Sequence, residues 1–228
     1  MDKEIMRKSN SSADVEDLQT KSIMRKELNE IVTYYDEKIA LHGESPLGVD
    51  WNGSESQNLR FEQLSKLISG QSSFTLADLG CGYGALNTYL QEYFENFKYY
   101  GYDISPKMLN SARKLHRDPE TAKFIESSDI LEYVDFTVAS GIFNVRQTNS
   151  SAQWREHIIT TLDNINQYSQ KGFAFNCLTT FSDASKMKAH LYYADPCFFF
   201  EYCKNNYSRN VALLHDYELY EFTIIVRK

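Results

Sequence analysis

Long apolar runs are missing from this sequence. A membrane-spanning helix needs about 20 consecutive apolar residues, and Cys197–Phe200 is only four long. No membrane partner is expected. The start, Met1-Asp2-Lys3-Glu4, lacks the apolar stretch of a secretory signal. The four cysteines, Cys81, Cys177, Cys197 and Cys203, include no CxxC pair, which argues against a zinc knuckle. Without a secretion signal disulfides are not expected either, and a reducing, cytoplasmic setting follows. No His/Asp/Glu cluster has metal-ligand spacing, so no metal is expected. Basic runs are also scarce: none of the 24 Lys and Arg residues stands in a run longer than two, and the net charge is −7. A nucleic-acid partner is disfavoured, because such binders need a basic patch to neutralise phosphates.

What is present suits one large α/β domain with an extension. The chain has 228 residues, 42% of them hydrophobic, enough for a sizeable core but not for two. The 16 tyrosines and 14 phenylalanines read mainly as core, although tyrosines near a pocket can orient a ligand with their polar tips.

Residues 1–20 are polar and aperiodic, as in a mobile tail or a weak helix. From Ser22 a helical stripe of Ile23, Leu28, Ile31, Val32, Tyr35 and Ile39 runs to a stop near His42-Gly43. A loop over 44–53 precedes Ser54-Glu55-Ser56-Gln57, which matches a capping box, and a helix ending at Gly70. Strands and helices then alternate. Strands are expected at Phe74–Leu79, Phe97–Tyr102, Ala122–Glu126, Phe136–Ala139 and Gly172–Cys177. Helices are expected at Ala85–Glu95, from Ser105-Pro106 to about Arg117, at Ser151–Tyr168 and at Pro196–Asn205. Two last strands, Val211–His215 and Glu221–Val226, flank a tight Asp216-Tyr217-Glu218 turn. Alternation implies βαβ units and parallel strands, and the short final connection implies an antiparallel hairpin. The expected fold is a three-layer, Rossmann-like α/β domain: seven strands, six parallel and the last reversed. The division is a tail and helical extension over 1–70, covering the active site, and a main domain over 71–228.

The segment Asp78-Leu79-Gly80-Cys81-Gly82-Tyr83-Gly84 follows a strand and opens a helix. Glycines there permit a tight turn and close approach of a ligand to bare backbone, and the helix N-terminus adds free N–H groups. Asp103, nineteen residues after Gly84, closes the next strand, where a carboxylate can accept both hydroxyls of a ribose.

With Gly101-Tyr102-Asp103-Ile104-Ser105, Ser127-Ser128-Asp129-Ile130, Phe136-Thr137-Val138-Ala139-Ser140 and the final hairpin, this loop resembles the class I S-adenosylmethionine (SAM)-dependent methyltransferases over about residues 70–228. Dinucleotide folds usually carry G-x-G-x-x-G and no reversed last strand. The resemblance implies SAM as cofactor and a role for each matching position. Gly80, Cys81, Gly82 and Gly84 line its methionine part. Asp78 holds the loop or the methionine amino group. Asp103 binds the ribose and Ile104 packs on the adenine. Ser128, Asp129 and Ile130 sit beside the adenine amino group, and Ser140 with Gly141 closes the site. The Asn/Asp-Pro-Pro-Tyr/Phe motif of nucleic-acid amino methyltransferases is replaced by Ser140-Gly141-Ile142-Phe143, against base N-methylation.

The expected acceptor is a small polar molecule methylated on oxygen or nitrogen, by a monomer or homodimer. Parallel sheets bind ligands beyond the carboxyl ends of their strands, so candidate bases are His215, at the end of the sixth strand, and His190 and Tyr193, on the long connection before Pro196. The plainer reading of His215 is a cap on its hairpin or a hydrogen bond to a neighbour. A regulatory SAM-binding protein, or a methyltransferase acting on protein or peptide, are the alternatives.

Overall fold

A computed structural model describes residues 30–228; the tail and the Ser22–Asn29 part of the expected first helix lie outside the described residues. The described part of that helix, α1, spans residues 30–42. Gly43 ends it at φ +65°, donating its N–H to Ile39 O at 2.8 Å, the left-handed stop that glycine allows. The 44–53 loop contains a 3₁₀ turn, Pro46–Val49. Helix α2 is Ser54–Ser65, but Gly53 is its N-cap and no side chain caps it. The expected capping box at 54–57 therefore does not form; Ser54 is already inside the helix, and Ser56 Oγ donates to Gly53 O instead.

Strand β1 is Phe74–Leu79, β2 Phe97–Asp103, β3 Ala122–Glu126, β4 Val134–Ala139, β5 Ser169–Leu178, β6 Asn210–Leu214 and β7 Glu221–Arg227. Between them lie α3 (Ala85–Gln91), α4 (Pro106–Leu115), α5 (Ser151–Tyr168) and α6 (Pro196–Asn206). Helix α3 stops at Gln91, short of the expected Glu95, in a turn where Tyr93 N and Phe94 N both donate to Leu90 O. Strand β5 begins at Ser169, directly after α5, earlier than the expected Gly172. The final hairpin is looser than expected, with residues 215–220 outside both strands. Helix starts have identifiable causes. Ser105 Oγ accepts from Met108 N at the head of α4, and Pro106 follows at the first position. Ser150 and Gln153 form a reciprocal capping box on α5.

The sheet runs β3-β2-β1-β4-β5-β7-β6. Neighbours are parallel except at β7, which is antiparallel to both β5 and β6. Six strands thus share one direction and the last is reversed, as expected. Strands β1, β4 and β5 are buried along nearly their whole length, because helices cover both faces. One core cluster joins Trp154, Ile158, Leu162 and Ile165 of α5 to Phe173, Phe175 and Phe199. The other joins Phe61 and Leu64 of α2 to Leu86, Leu90, Leu109 and Ala112 on the opposite face. The order reverses between β1 and β4, and a crevice opens beyond their carboxyl ends, where such sheets bind ligands. Among the described residues no helix is long and apolar enough to cross a membrane.

Candidate active site

The glycine loop is folded by backbone geometry that its residues permit. Gly80, Gly82 and Gly84 have φ of +77°, +55° and +84°, values that L side chains rarely adopt. Gly80 N and Cys81 N both donate to Tyr102 O, at 2.7 and 3.0 Å, binding the loop to β2. Asp103 finishes the tie: Oδ2 accepts from Gly82 N and Oδ1 from Ser105 N, both at 2.8 Å. Burial pushes the Asp103 carboxyl up, and the backbone N–H groups of Ser105 and Gly82 pull it back. Asp78, at the base of the loop, accepts from Tyr99 OH at 2.5 Å through Oδ2. Its Oδ1 is buried and has no hydrogen-bond partner, as has Ser140 Oγ. Burial raises Asp78 to about 7, against the Tyr99 hydrogen bond that lowers it. Burial likewise pushes the Cys81 thiol well up.

Many of these groups line one cleft, open to solvent at its mouth. Of the residues singled out above, Asp78, Gly80, Cys81, Gly82, Asp103, Ile104, Ser128 and Ser140 line it. Gly84, Asp129 and Ile130 do not. Gly84 stands behind the loop, where a Cβ would meet the His116 ring at 2.8 Å. Its carbonyl faces His116 Nε2 at 3.0 Å, while His116 Nδ1 lies 3.0 Å from the Asn87 amide nitrogen. Nε2 then carries the proton and Nδ1 accepts; burial lowers the His116 pKa. Asp129 is exposed and accepts from Ser128 Oγ at 3.1 Å. Ile130 is wholly buried among Trp154, Ile158 and Tyr102, and its N–H donates to Asn164 Oδ1 at 2.8 Å.

His215, His190 and Tyr193 are also outside the cleft lining. His215 is exposed on the final turn, 5.9 Å from the Phe181 ring and 6.3 Å from the Phe222 ring, centre to centre. The His190 carbonyl accepts from Arg146 N and Gln147 N. Tyr193 OH accepts from Lys188 N at 2.9 Å. The Tyr193 hydroxyl thus holds its own loop, and the His190 backbone joins that loop to the segment after β4.

Several lining residues escaped the sequence reading. Trp154, His157 and Thr161 come from one face of α5, spaced three and four apart as a helical stripe requires. His157 has its pKa lowered by burial, with Asp129 acting the other way. Ile31, Tyr35, Val49, Trp51, Gln57 and Phe61, by contrast, come from the N-terminal extension that the sequence is expected to place over the site. Ser105 Oγ donates to Asp36 Oδ1 at 2.5 Å and Lys107 Nζ lies 3.3 Å from Asp36 Oδ2, joining α1 to the head of α4, and Asp50 accepts from Tyr34 OH and Lys38 Nζ, each at 2.6 Å, joining the 44–53 loop to α1. Burial and the nearby carboxylates Asp50 and Asp103 raise the Tyr35 hydroxyl pKa.

The sequence and the architecture have counterparts among known proteins. A family model described as a methyltransferase domain matches residues 77–169. Over 163 residues the chain is 50% identical to a protein of Mycobacterium tuberculosis (strain ATCC 25618 / H37Rv) named "Putative methyltransferase Rv1506c", covering 72% of this chain and 98% of that one. Among solved structures, the magnesium protoporphyrin IX methyltransferase (ChlM) of Synechocystis PCC 6803 with bound SAM aligns at TM-score 0.61, with 15% identity, over 92% of this chain and 97% of that chain. The N-methyltransferase NodS of Bradyrhizobium japonicum WM9, in complex with S-adenosyl-L-homocysteine (SAH), aligns at 0.59 and 15% identity over 86% and 97%. At such identities the structural likeness speaks for the fold, and the 50% relative carries the family. The chain belongs to the class I SAM-dependent methyltransferases.

Proposed function

We propose that this enzyme methylates an oxygen or nitrogen of a small molecule, with SAM lying across the glycine loop and its methyl pointing toward the end of β4. The observation that carries this reading is the pair of buried, unpartnered oxygens, Asp78 Oδ1 and Ser140 Oγ, on the floor of the cleft. A buried polar atom without a partner costs about 1–3 kcal/mol, so two of them in one cleft fit a site completed by a ligand. Bound there, SAM supplies an electrophilic methyl on a sulfonium leaving group.

The chain's part is to bind, orient and exclude water. Asp78 Oδ1 faces the position suited to the methionine ammonium. Asp103, already aimed by Gly82 and Ser105, has remaining lone pairs for the ribose hydroxyls. Ile104, Ser127, Ser128, His157 and Thr161 frame the adenine end, His157 as a neutral ring. Gly84, Asp129 and Ile130 act from behind: Gly84 through the loop's backbone, Ile130 through packing, and Asp129 through Ser128. Holding two reactants in line in a dry site supplies much of a transfer barrier without an obligatory base. The N-terminal region contributes by covering the cleft with Ile31, Tyr35 and Trp51.

Titration calorimetry with SAH tests the reading. Binding in the low-micromolar range, on the order of 8 kcal/mol, is expected. No heat with SAH or SAM, together with clear binding of NAD, would overturn it.

A further inference from the structure

Beyond the end of β4 the cleft is walled by Trp51, Gly141 and Ile142, and Phe61 and Tyr83 line it too. Behind this wall five residues close a ring. Gly141 N donates to Asn176 Oδ1 at 2.7 Å, and Asn176 Nδ2 donates to Glu221 Oε2 at 2.9 Å. Arg60 donates to both oxygens of Glu221, Nε to Oε2 at 2.8 Å and Nη2 to Oε1 at 2.5 Å. The Arg60 guanidinium lies 3.9 Å from the centre of the Trp51 ring. A Cβ on Gly141 would stand 2.4 Å from that same ring, which closes the circuit. Arg60, Asn176 and Glu221 are 7%, 0% and 2% exposed.

A buried ion pair rarely stabilises more than packed hydrophobes would. Its worth here lies in the charge it settles. Arg60 stands one ring behind the wall, and Glu221 cancels it with a two-pronged, charge-assisted contact. Among the described residues that line the cleft, the carboxylic acids Asp78 and Asp103 are the acidic groups and there is no Lys or Arg. With Asp78 and Asp103 engaged by the cofactor, an entering anion meets a neutralised arginine and no Lys or Arg of the cleft lining, so its lost hydration is not repaid. A flat uncharged ring meets Trp51, Phe61 and Tyr83, against which aromatic groups pack favourably.

Resting on the methyl-transfer reading above, we infer that the acceptor is an uncharged aromatic molecule stacked at Trp51, and that Glu221 sets this charge preference by cancelling Arg60. For a phenolic acceptor the hydroxyl oxygen gains the methyl carbon, the carbon–sulfur electron pair stays on sulfur, and the hydroxyl proton leaves to bulk water.

The test is calorimetry on the full chain loaded with SAH, using 2-naphthol and 2-naphthoate, which share a ring and differ in charge. The expected result is 2-naphthol binding about tenfold or more tighter than 2-naphthoate. Trp51→Leu should lose far more affinity for 2-naphthol than for SAH. Glu221→Gln should move the preference about tenfold or more toward 2-naphthoate, by releasing the Arg60 charge. Should Glu221→Gln not fold, the wild-type pair and Trp51→Leu still decide. Equal or tighter binding of 2-naphthoate by the wild type, no binding of 2-naphthol at about 1 mM, or a Trp51→Leu variant with unchanged naphthol affinity would overturn the inference. Failure of SAH itself to bind is a separate result, and it would remove the cofactor reading as well.

Discussion

Tyr99 on β2 donates its hydroxyl to one carboxylate oxygen of Asp78 on β1 and leaves the other buried without a partner. Burial raises this carboxyl to a pKa of about 7, against the Tyr99 hydrogen bond, which lowers it. Ligand-free protein therefore carries a proton on Asp78 below neutral pH, whereas pairing with an ammonium needs the ionised form. SAH affinity should rise about tenfold from pH 6 to pH 8, by proton linkage at one group. Calorimetry in buffers of differing ionisation heat should show a proton released on binding near pH 6. A pH-independent affinity would mean that Asp78 does not meet the amino group.

Asp78 also has an opposite effect on stability. Its folded pKa is raised, so the stability linked to its proton is present below the unfolded pKa near 4 and is lost as pH rises through about 7. Asp78→Asn should accordingly melt higher than wild type at pH 8 without ligand, yet bind SAH more weakly. Thermal scans at pH 5 and pH 8 give the comparison; a difference that does not grow with pH speaks against a buried ionised Asp78.

Asp103→Ala should weaken SAH binding by about 1.5–3 kcal/mol, the worth of hydrogen bonds to a charged group. From its place at a strand end one expects an undisturbed fold. The carboxylate, however, holds Gly82 N and Ser105 N, so the melting temperature should fall too. Asp103→Asn, which keeps one acceptor, should recover part of the stability and less of the affinity. Melting curves beside SAH titrations separate the two losses.

Gly82→Val should remove SAH binding. At φ +55° a branched side chain is strained, at about 1–2 kcal/mol for the left-handed backbone alone, and its Cβ would lie 3.0 Å from Val49 Cγ1. A folded Gly82→Val protein that binds SAH normally would show that the loop is not the cradle.

His215→Ala should leave methyl transfer within about twofold, because the ring sits on an exposed turn outside the cleft lining. A loss of about 10²–10⁴, the size of a general-base contribution, would instead put the acceptor at the hairpin.

The strands, the reversed last strand and the glycine loop were legible because each rests on short-range pattern: apolar runs, a hairpin-length connection, glycines where φ must be positive. The site's other half was not. Ser54–Gln57 and Ser150–Gln153 spell the same Ser-x-x-Gln, yet the box forms only at the second, since the chain enters α2 through Gly53 as N-cap. Trp154, His157 and Thr161 follow a helical stripe that reads as core, and only the neighbouring cleft makes its edge a binding surface. The 1–70 extension, with its loop up to Trp51, is expected from sequence to cover the site, but nothing local shows that the Trp51 ring packs on Arg60, itself held by a residue 161 positions away. Contacts of that range leave no trace in a local window. His215 was attractive as a strand-end residue, but its strand is at the sheet's outer edge.

That long-range pairing also bears on how the enzyme is made. A ribosome delivers Arg60 well before Glu221, which opens the last strand. Until Glu221 emerges, the guanidinium has no carboxylate to settle it, and Asn176 lacks the acceptor that fixes its amide. The wall around Trp51 must therefore wait for the last stretch of translation. The same stretch carries Phe222, Ile224, Ile225 and Val226, which enter both core clusters, so the sheet and the acceptor wall are completed together by the last strand to emerge.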